Sequence, residues 1–338
     1  MNAPGEIQMF TPSEEHPYFR DIVGKLYPED LFAAQAASDK INFTHAAAGL
    51  CVLKNGLPAG RLIIYTGHGI GHKDKPAAFI GNYECINDDA ASREMLDAAE
   101  KFARLEGYGL LIGPVNGTTW DTYRFCTSSN QSRFFSEMIH PGYYTGQWEK
   151  AGYAVIADYF SMMDQTLISD TENTLRTENT FSQNGIWFRT LDPADYEQEL
   201  ERIYDLCAKA FRNNFLFTPI SREAFKVKYR AVQKYIEPQM IFLAENSGKE
   251  IVGLAFNFPD HAVTDKKRMV LKTLARDPAP DFRGLGDVLA NMSHRYGNEH
   301  GYASIIHALM YSDNASRRLS KKYHGEIFKS YALYAKEL

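Results

Sequence analysis

The sequence predicts an α/β (α+β) chain folded as two domains in tandem, each a mixed, mostly antiparallel sheet flanked by helices. Three observations carry that expectation. At 338 residues the chain exceeds one ordinary domain and suits two. With 44% hydrophobic and 23% charged residues it can bury proper cores. A hairpin, strand, helix, strand order occurs twice, and a polar stretch at 164–185, without strong periodicity, separates the two runs. The expected division is a first domain at 1–163, a linker at 164–185 and a second domain at 186–338.

In the first half, Phe19, Ile22, Val23 and Leu26 share one face of an expected helix within 17–37. Residues 45–54 and 57–65 read as strands joined by Asn55-Gly56, a strong hairpin signal. The loop TGHGIGHKDKP (66–76) carries His68 and His72. They would share a metal only on a helix, which the glycines discourage. A strand at 77–86 precedes a helix at 88–107, where Met95, Leu96, Ala99 and Phe102 recur at helical spacing and Asp88 or Asp89 can cap. A strand at 110–114 leads to NGTTWDTYRF (116–125). Its Trp120, Asp121, Tyr123 and Arg124 suit either a binding cleft or a loop packed by its own aromatics. A helix at 141–151 and a strand at 154–163 complete the half.

The second half opens with a strand at 186–191, and Asp192-Pro193 starts a helix that runs to 210. The loop FRNNFLFTPIS (211–221) precedes a helix at 222–235, and a hairpin at 240–258 turns on Asn246-Ser247-Gly248. Then comes the most informative stretch. MVLKTLA (269–275) is a strand bounded by Asp277 and Pro278. Gly284-Leu285-Gly286 opens a helix bearing Val288, Leu289, Met292 and Tyr296. A glycine turn at a helix start gathers free N–H groups and the positive end of the dipole, which together suit a phosphate. It is neither a P-loop, because Asp287-Val288 follow the glycine, nor a dinucleotide turn, because Leu289 fills the third small position. A strand at 303–310, Asp313 and Asn314 as helix caps, a helix at 315–322 and a last strand at 326–335 end the chain.

Leu274-Ala275-Arg276-Asp277-Pro278 followed by Gly284-Leu285-Gly286, with Asn314 after the next strand, resembles the coenzyme A signature of the GNAT superfamily of N-acetyltransferases. Paired GNAT domains of a bacterial tandem group are similar over the whole chain. The resemblance implies acetyl-CoA as cofactor and direct attack of a small-molecule or peptide amine on its thioester. It implies a coenzyme site of Leu274, Ala275, Arg276, Arg283, Gly284, Leu285, Gly286, Asp287, Val288 and Asn314. Acceptor contacts would come from Arg212, Asn213 and Asn214. Candidates for proton transfer are His307, Tyr311 and Tyr323. Two positions depart from the family pattern: its first Arg/Gln falls on Asp281, and its leaving-thiolate tyrosine on Lys321. In the first half Asn87-Asp88-Asp89 stands at the corresponding helix start, where carboxylates repel phosphates, so that domain is expected to be degenerate.

Net charge is −5, split as +4 for 187–338 (23 basic against 19 acidic residues) and −9 for 1–186 (14 against 23). The mildly basic half suits a phosphate-bearing cofactor but falls far short of a nucleic-acid surface. Four scattered cysteines, a polar acidic start and no long apolar run point to a cytoplasmic protein without a membrane partner, a monomer or homodimer. Two other readings stay open: a non-catalytic acyl-CoA or metabolite binding protein of the same fold, and an aminoacyl or peptidyl transferase, which would want a basic RNA-facing surface.

Overall fold

The computed structural model describes residues 5–128, 132–169 and 172–338. Residues 170–171 of the expected linker, and 1–4 and 129–131 of the expected first domain, lie outside it. The chain divides into two compact units. The first comprises Met1–Gln131, Ser136–Asp158 and Ser330–Leu338; the second comprises Ser132–Phe135 and Tyr159–Lys329.

The first unit contains β1 (Glu6–Phe10), three short helices α1 (Pro17–Arg20), α2 (Val23–Leu26) and α3 (Phe32–Ser38), then β2 (Ala46–Lys54), β3 (Leu57–Tyr65), β4 (Gly71–His72) and β5 (Lys75–Cys85). It continues with α4 (Asp89–Leu105), β6 (Leu110–Gly113), β7 (Phe125–Cys126) and α5 (Tyr144–Lys150). The long strand β8 (Ala154–Asp164) belongs to the second unit from Tyr159 onward. That unit adds α6 (Glu172–Gln183), β9 (Trp187–Thr190), α7 (Tyr196–Phe211), α8 (Arg222–Val232), β10 (Ile241–Glu245), β11 (Ile251–Pro259) and β12 (Arg268–Arg276). It closes with α9 (Leu285–Glu299), β13 (Ser304–Tyr311), α10 (Ala315–Lys322) and the start of β14 (Glu326–Glu337), which from Ser330 joins the first unit.

Local chemistry explains most boundaries. Asn55 and Gly56 both take positive φ, 52° and 75°, as the tight β2–β3 hairpin requires. Helix does form within 17–37, as expected, but in short pieces, and Tyr27 and Pro28 are extended where the proline ring excludes a continuous run from α2 onward. The Asp88 carboxylate caps α4 through the N–H groups of Ala90 and Ala91, and Met95, Leu96 and Ala99 bury its apolar stripe.

Sheet order in the first unit is β1-β2-β3-β5-β6-β14, and in the second β8-β13-β12-β11-β10-β9. Each contains one parallel pair, β5 with β6 and β12 with β13, and its remaining pairs are antiparallel. The strands expected to end each half are exchanged. Residues Tyr334, Ala335, Lys336 and Glu337 of β14 pair with β6, while Tyr159 to Asp164 of β8 pair with β13. The division at 163/186 expected from sequence therefore differs from the compact units, and α6 of the expected linker packs on α9 inside the second unit.

The first unit also buries a charged network. Arg61, wholly buried, pairs with Asp39 and donates to the carbonyls of Phe19 and Asn82. Close by, the Glu84 carboxylate accepts from Tyr27, Gln35 and Tyr144. Burial pushes Glu84 up to about 7 despite the attraction of Arg61. Removing the cation would strand Asp39 and Glu84 in the interior. Arg61→Met is expected to cost ~3–5 kcal/mol, read as a lower urea midpoint.

Candidate functional site

Parallel pairing between β12 and β13 runs from Arg268↔Ser304 to Leu271↔His307 and stops there. Both strands continue, β12 to Arg276 and β13 to Tyr311. On its other edge β12 stays paired with β11 as far as Gly253↔Arg276. The strands part, and the edge of β12 at 273–276, which β13 has left, lies open to pairing with an extended ligand. The parting has a local cause on the far edge of β13. The register against β8 shifts between His307 and Met310, Leu309 takes φ 60°, and the Leu309 N–H is drawn to Ser161 Oγ at 3.1 Å.

Directly after β12, the chain turns into α9. Its N-cap is Gly284, at φ 95°, a conformation that favours glycine, and no side chain caps the helix start. The N–H groups of Asp287 and Val288 return to the Gly284 carbonyl, at 3.0 and 3.3 Å. Those of Leu285 and Gly286 belong to the first turn and have no intrahelical acceptor. A Cβ on Gly286 would meet nothing closer than Leu274 Cδ2 at 4.0 Å, so open space lies over the turn. Open space, two outward N–H groups and the dipole make an anion cradle. Such a cradle suits a pyrophosphate-sized anion.

The other expected cofactor residues divide. Leu285 and Val288 send their side chains into the core and offer only backbone. Ala275 is buried on β12; Arg276 folds back on the Asp277 carbonyl at 2.7 Å; Arg283 is exposed. The Asp287 carboxylate is turned to Lys322 at 3.0 Å, which neutralises its charge. Asn314 caps α10 through Ser316 N.

Of the proton-transfer candidates, His307 is deep inside. Its Nδ1 is 2.7 Å from Ser320 Oγ and its Nε2 is 3.0 Å from His294 Nε2. Nδ1 of His294 stands 3.2 Å from Asp164, which also accepts from Thr166 and Leu167. Burial, with His294 alongside, pushes His307 down to about 3. A ring so placed is neutral near pH 7 and has both nitrogens engaged, so it does not reach a substrate amine. Tyr323 is also buried. Its hydroxyl donates to the Asp287 carbonyl at 3.0 Å and its ring stacks on His294 at 4.4 Å, so its proton is committed away from the cleft. Tyr311 is half-buried at the end of β13, between Tyr159 at 5.3 Å and Phe215 at 5.7 Å.

Phe215 belongs to the segment that carries Arg212, Asn213 and Asn214, all three exposed, with Arg212 closing α7. The structure thus brings the expected acceptor segment to Tyr311. Sequence reasoning missed Asp164, His294 and Ser320. Each reads alone as a strand end or a helix residue, and only folding joins them.

The corresponding place in the first unit is filled by its own chain. After Phe79↔Ile112 the parallel pair β5/β6 parts, but Val115 N–H donates to the Ile80 carbonyl and Asn82 N–H to Asn116 Oδ1, at 2.8 and 2.7 Å. A Cβ on Gly81 would lie 2.1 Å from the Val115 carbonyl oxygen. At the following helix start Asp88 caps and pairs with Lys54, while Asp89 pairs with Lys150. The 116–125 loop packs on itself: Asp121 accepts from Asn42 and Thr118, and Arg124 lies over the Tyr123 ring at 3.7 Å. His68 stacks on His45 and touches the Gly117 carbonyl, an arrangement unlike a shared metal with His72.

No family model matches the chain. Among curated proteins it is similar to a bacterial ceramide synthase of Caulobacter vibrioides, 23% identical over 188 residues. That similarity spans 55% of this chain and 49% of the relative. Among solved structures it is similar to a tandem GNAT protein from the clavulanic acid biosynthesis pathway, with a TM-score of 0.55 at 11% identity over 98% of each chain. It is also similar to the glucosamine N-acetyltransferase region of a fungal multi-domain β-N-acetylglucosaminidase, with a TM-score of 0.58 at 10% identity. This second match covers 99% of this chain and 38% of that one.

Proposed function

This chain has the GNAT fold in tandem, and from that premise we propose that it is an acyl-CoA-dependent N-acyltransferase whose donor site lies in the second unit alone. The observation that carries the reading is the uncapped Gly284–Gly286 helix start beside the part of β12 that β13 has left, set against a first unit whose matching gap is filled. Leu285 and Gly286 N–H groups hold the pyrophosphate, with Arg283 at hand. Residues 274–276 pair with the pantetheine arm. The acceptor amine attacks the thioester carbonyl, an amide bond forms, the C–S bond breaks, and the coenzyme leaves as a thiol once its sulfur is protonated.

Acetyl-CoA is the donor that the family resemblance implies, and a small-molecule or peptide amine near Arg212, Asn213 and Asn214 the acceptor. Tyr311 is the group we assign to proton transfer. His307 is a positioning residue that fixes β13 through His294 and Ser320. Thiol release from acyl-CoA over a panel of amines tests the proposal. Tyr311→Phe is expected to lower kcat by about 100-fold, the lower end of general acid–base contributions, with coenzyme affinity unchanged. An unaltered kcat removes Tyr311 from the mechanism.

A second reading, a non-catalytic acyl-CoA binding protein, is favoured by Asp281 and Lys321 at family contact positions and by the committed Tyr323 hydroxyl. Coenzyme binding without thiol release for any amine would select it.

A further inference from the structure

On the face of the second unit's sheet covered by α7 and α8 lies a cavity that nothing above uses. Its walls come from α7 (Leu200, Ile203), α8 (Phe225) and β11 (Leu254, Phe256), and it reaches Thr273 on β12. Its interior offers water-sized molecules about 30 Å³, room for roughly two or three at ~10–15 Å³ each, before it opens at its mouth. The wall is apolar in character. Tyr196, also in the lining, donates its hydroxyl proton to the Tyr229 carbonyl at 3.0 Å, and burial pushes both the Tyr196 hydroxyl and the Cys207 thiol up to about 12. Neither carries charge near neutrality.

Thr273 ties this cavity to the donor site. It lies on the stretch of β12 that β13 has left, next to Leu274, and adjacent strand residues point to opposite faces. Leu274 approaches Gly286 in the anion cradle on one face, and Thr273 enters the cavity wall on the other. The parting of β12 and β13 lies between these two faces. An acetyl group would stop at the gap. A run of methylenes would continue into the apolar walls and leave no polar group unpaired.

We propose that this cavity receives the aliphatic chain of the donor, so that the preferred substrate is a fatty acyl thioester of coenzyme A rather than acetyl-CoA. This rests on the acyltransferase reading above. The chemistry recognised is an unbranched hydrocarbon chain. The alternative source of such a chain is an alkylamine acceptor, which the test separates.

Calorimetric titration of the whole chain with free CoA and with acetyl-, butanoyl-, hexanoyl- and octanoyl-CoA gives the first arm. Affinity is expected to rise about fourfold for each methylene buried, until the cavity is full. Ile203→Phe and Leu254→Phe, which fill the cavity from opposite walls, are expected to abolish that rise and leave free-CoA affinity as in wild type. The unchanged CoA affinity also shows that each variant is folded. If CoA binds but chain length has no effect, or longer chains bind more weakly, the cavity proposal is overturned while the donor site stands. If dodecylamine, and not octanoyl-CoA, loses affinity in the filled variants, the chain is the acceptor's and the proposal fails. If neither CoA nor any thioester binds, the donor reading falls and takes this one with it.

Discussion

Gly286→Glu is expected to weaken coenzyme A binding on the order of 100-fold while leaving the protein folded. The site itself sets both halves of that expectation. A side chain here meets only Leu274 Cδ2 at 4.0 Å, so it enters free space and not a packed core. A carboxylate in that space occupies the anion cradle and repels phosphate by ~1 kcal/mol in full solvation, rising to ~4 kcal/mol near a protein surface. At 1.4 kcal/mol per factor of ten, a hundredfold loss sits between those limits. Gly286→Ala is the control for bulk. It adds a methyl without charge in a helical first turn, where alanine is favoured over glycine by up to ~1 kcal/mol. It should bind CoA within a few-fold of wild type and melt no lower. Isothermal titration of the three proteins decides the matter, and equal affinity in all three would remove the coenzyme from this turn.

The second large effect is acid destabilisation through the Asp164–His294–His307–Ser320 chain. His307 is held down to about 3 by burial and by His294, against an ordinary value of 6.5. Between about pH 6.5 and 3 the unfolded chain binds a proton that the folded chain refuses, so stability falls as pH falls through that window. At ~1.4 kcal/mol for each pH step of one across that window, the full loss is a few kcal/mol. At the lower end Asp164 adds to it. Burial alone would raise its carboxyl, but the His294 and Thr166 hydrogen bonds outweigh that and hold it below its ordinary value. Its stabilisation is present above that ordinary value and is lost as pH falls further. His307→Gln keeps a polar side chain between Ser320 and His294 but cannot take up the proton. Urea midpoints at pH 7.5, 5.5 and 4.5 should fall more steeply for wild type than for His307→Gln. Parallel curves would mean that His307 titrates normally and is not held as described.

How much of this was legible beforehand follows the range of each interaction. Asn55-Gly56, the Asp88 cap and the α9 glycine turn depend on neighbours within a few residues, and the sequence located each. The break at Pro28 was as local, yet the apolar stripe of Phe19, Ile22 and Leu26 masked it. Strand β1 was hidden because, among the described residues, it pairs with β2 alone, so its short pattern looked like a polar tail. The exchange of β8 and β14 was beyond reach. Periodicity marks a strand but not its partner, and β14 pairs with a strand more than 200 residues earlier. The anion cradle was legible because it is one contiguous stretch. The neutral buried state of His307 was not, because Asp164, His294 and Ser320 come from three other elements.

Whether one unit, through the 272–288 stretch, holds the coenzyme is tested most directly by hydrogen exchange with and without CoA. Slowed exchange is predicted across 272–288, where residues 273–276 of β12 and the uncapped N–H groups of Leu285 and Gly286 gain partners, with no change across 80–92 in the first unit. Protection at 80–92 with none at 272–288 would contradict it.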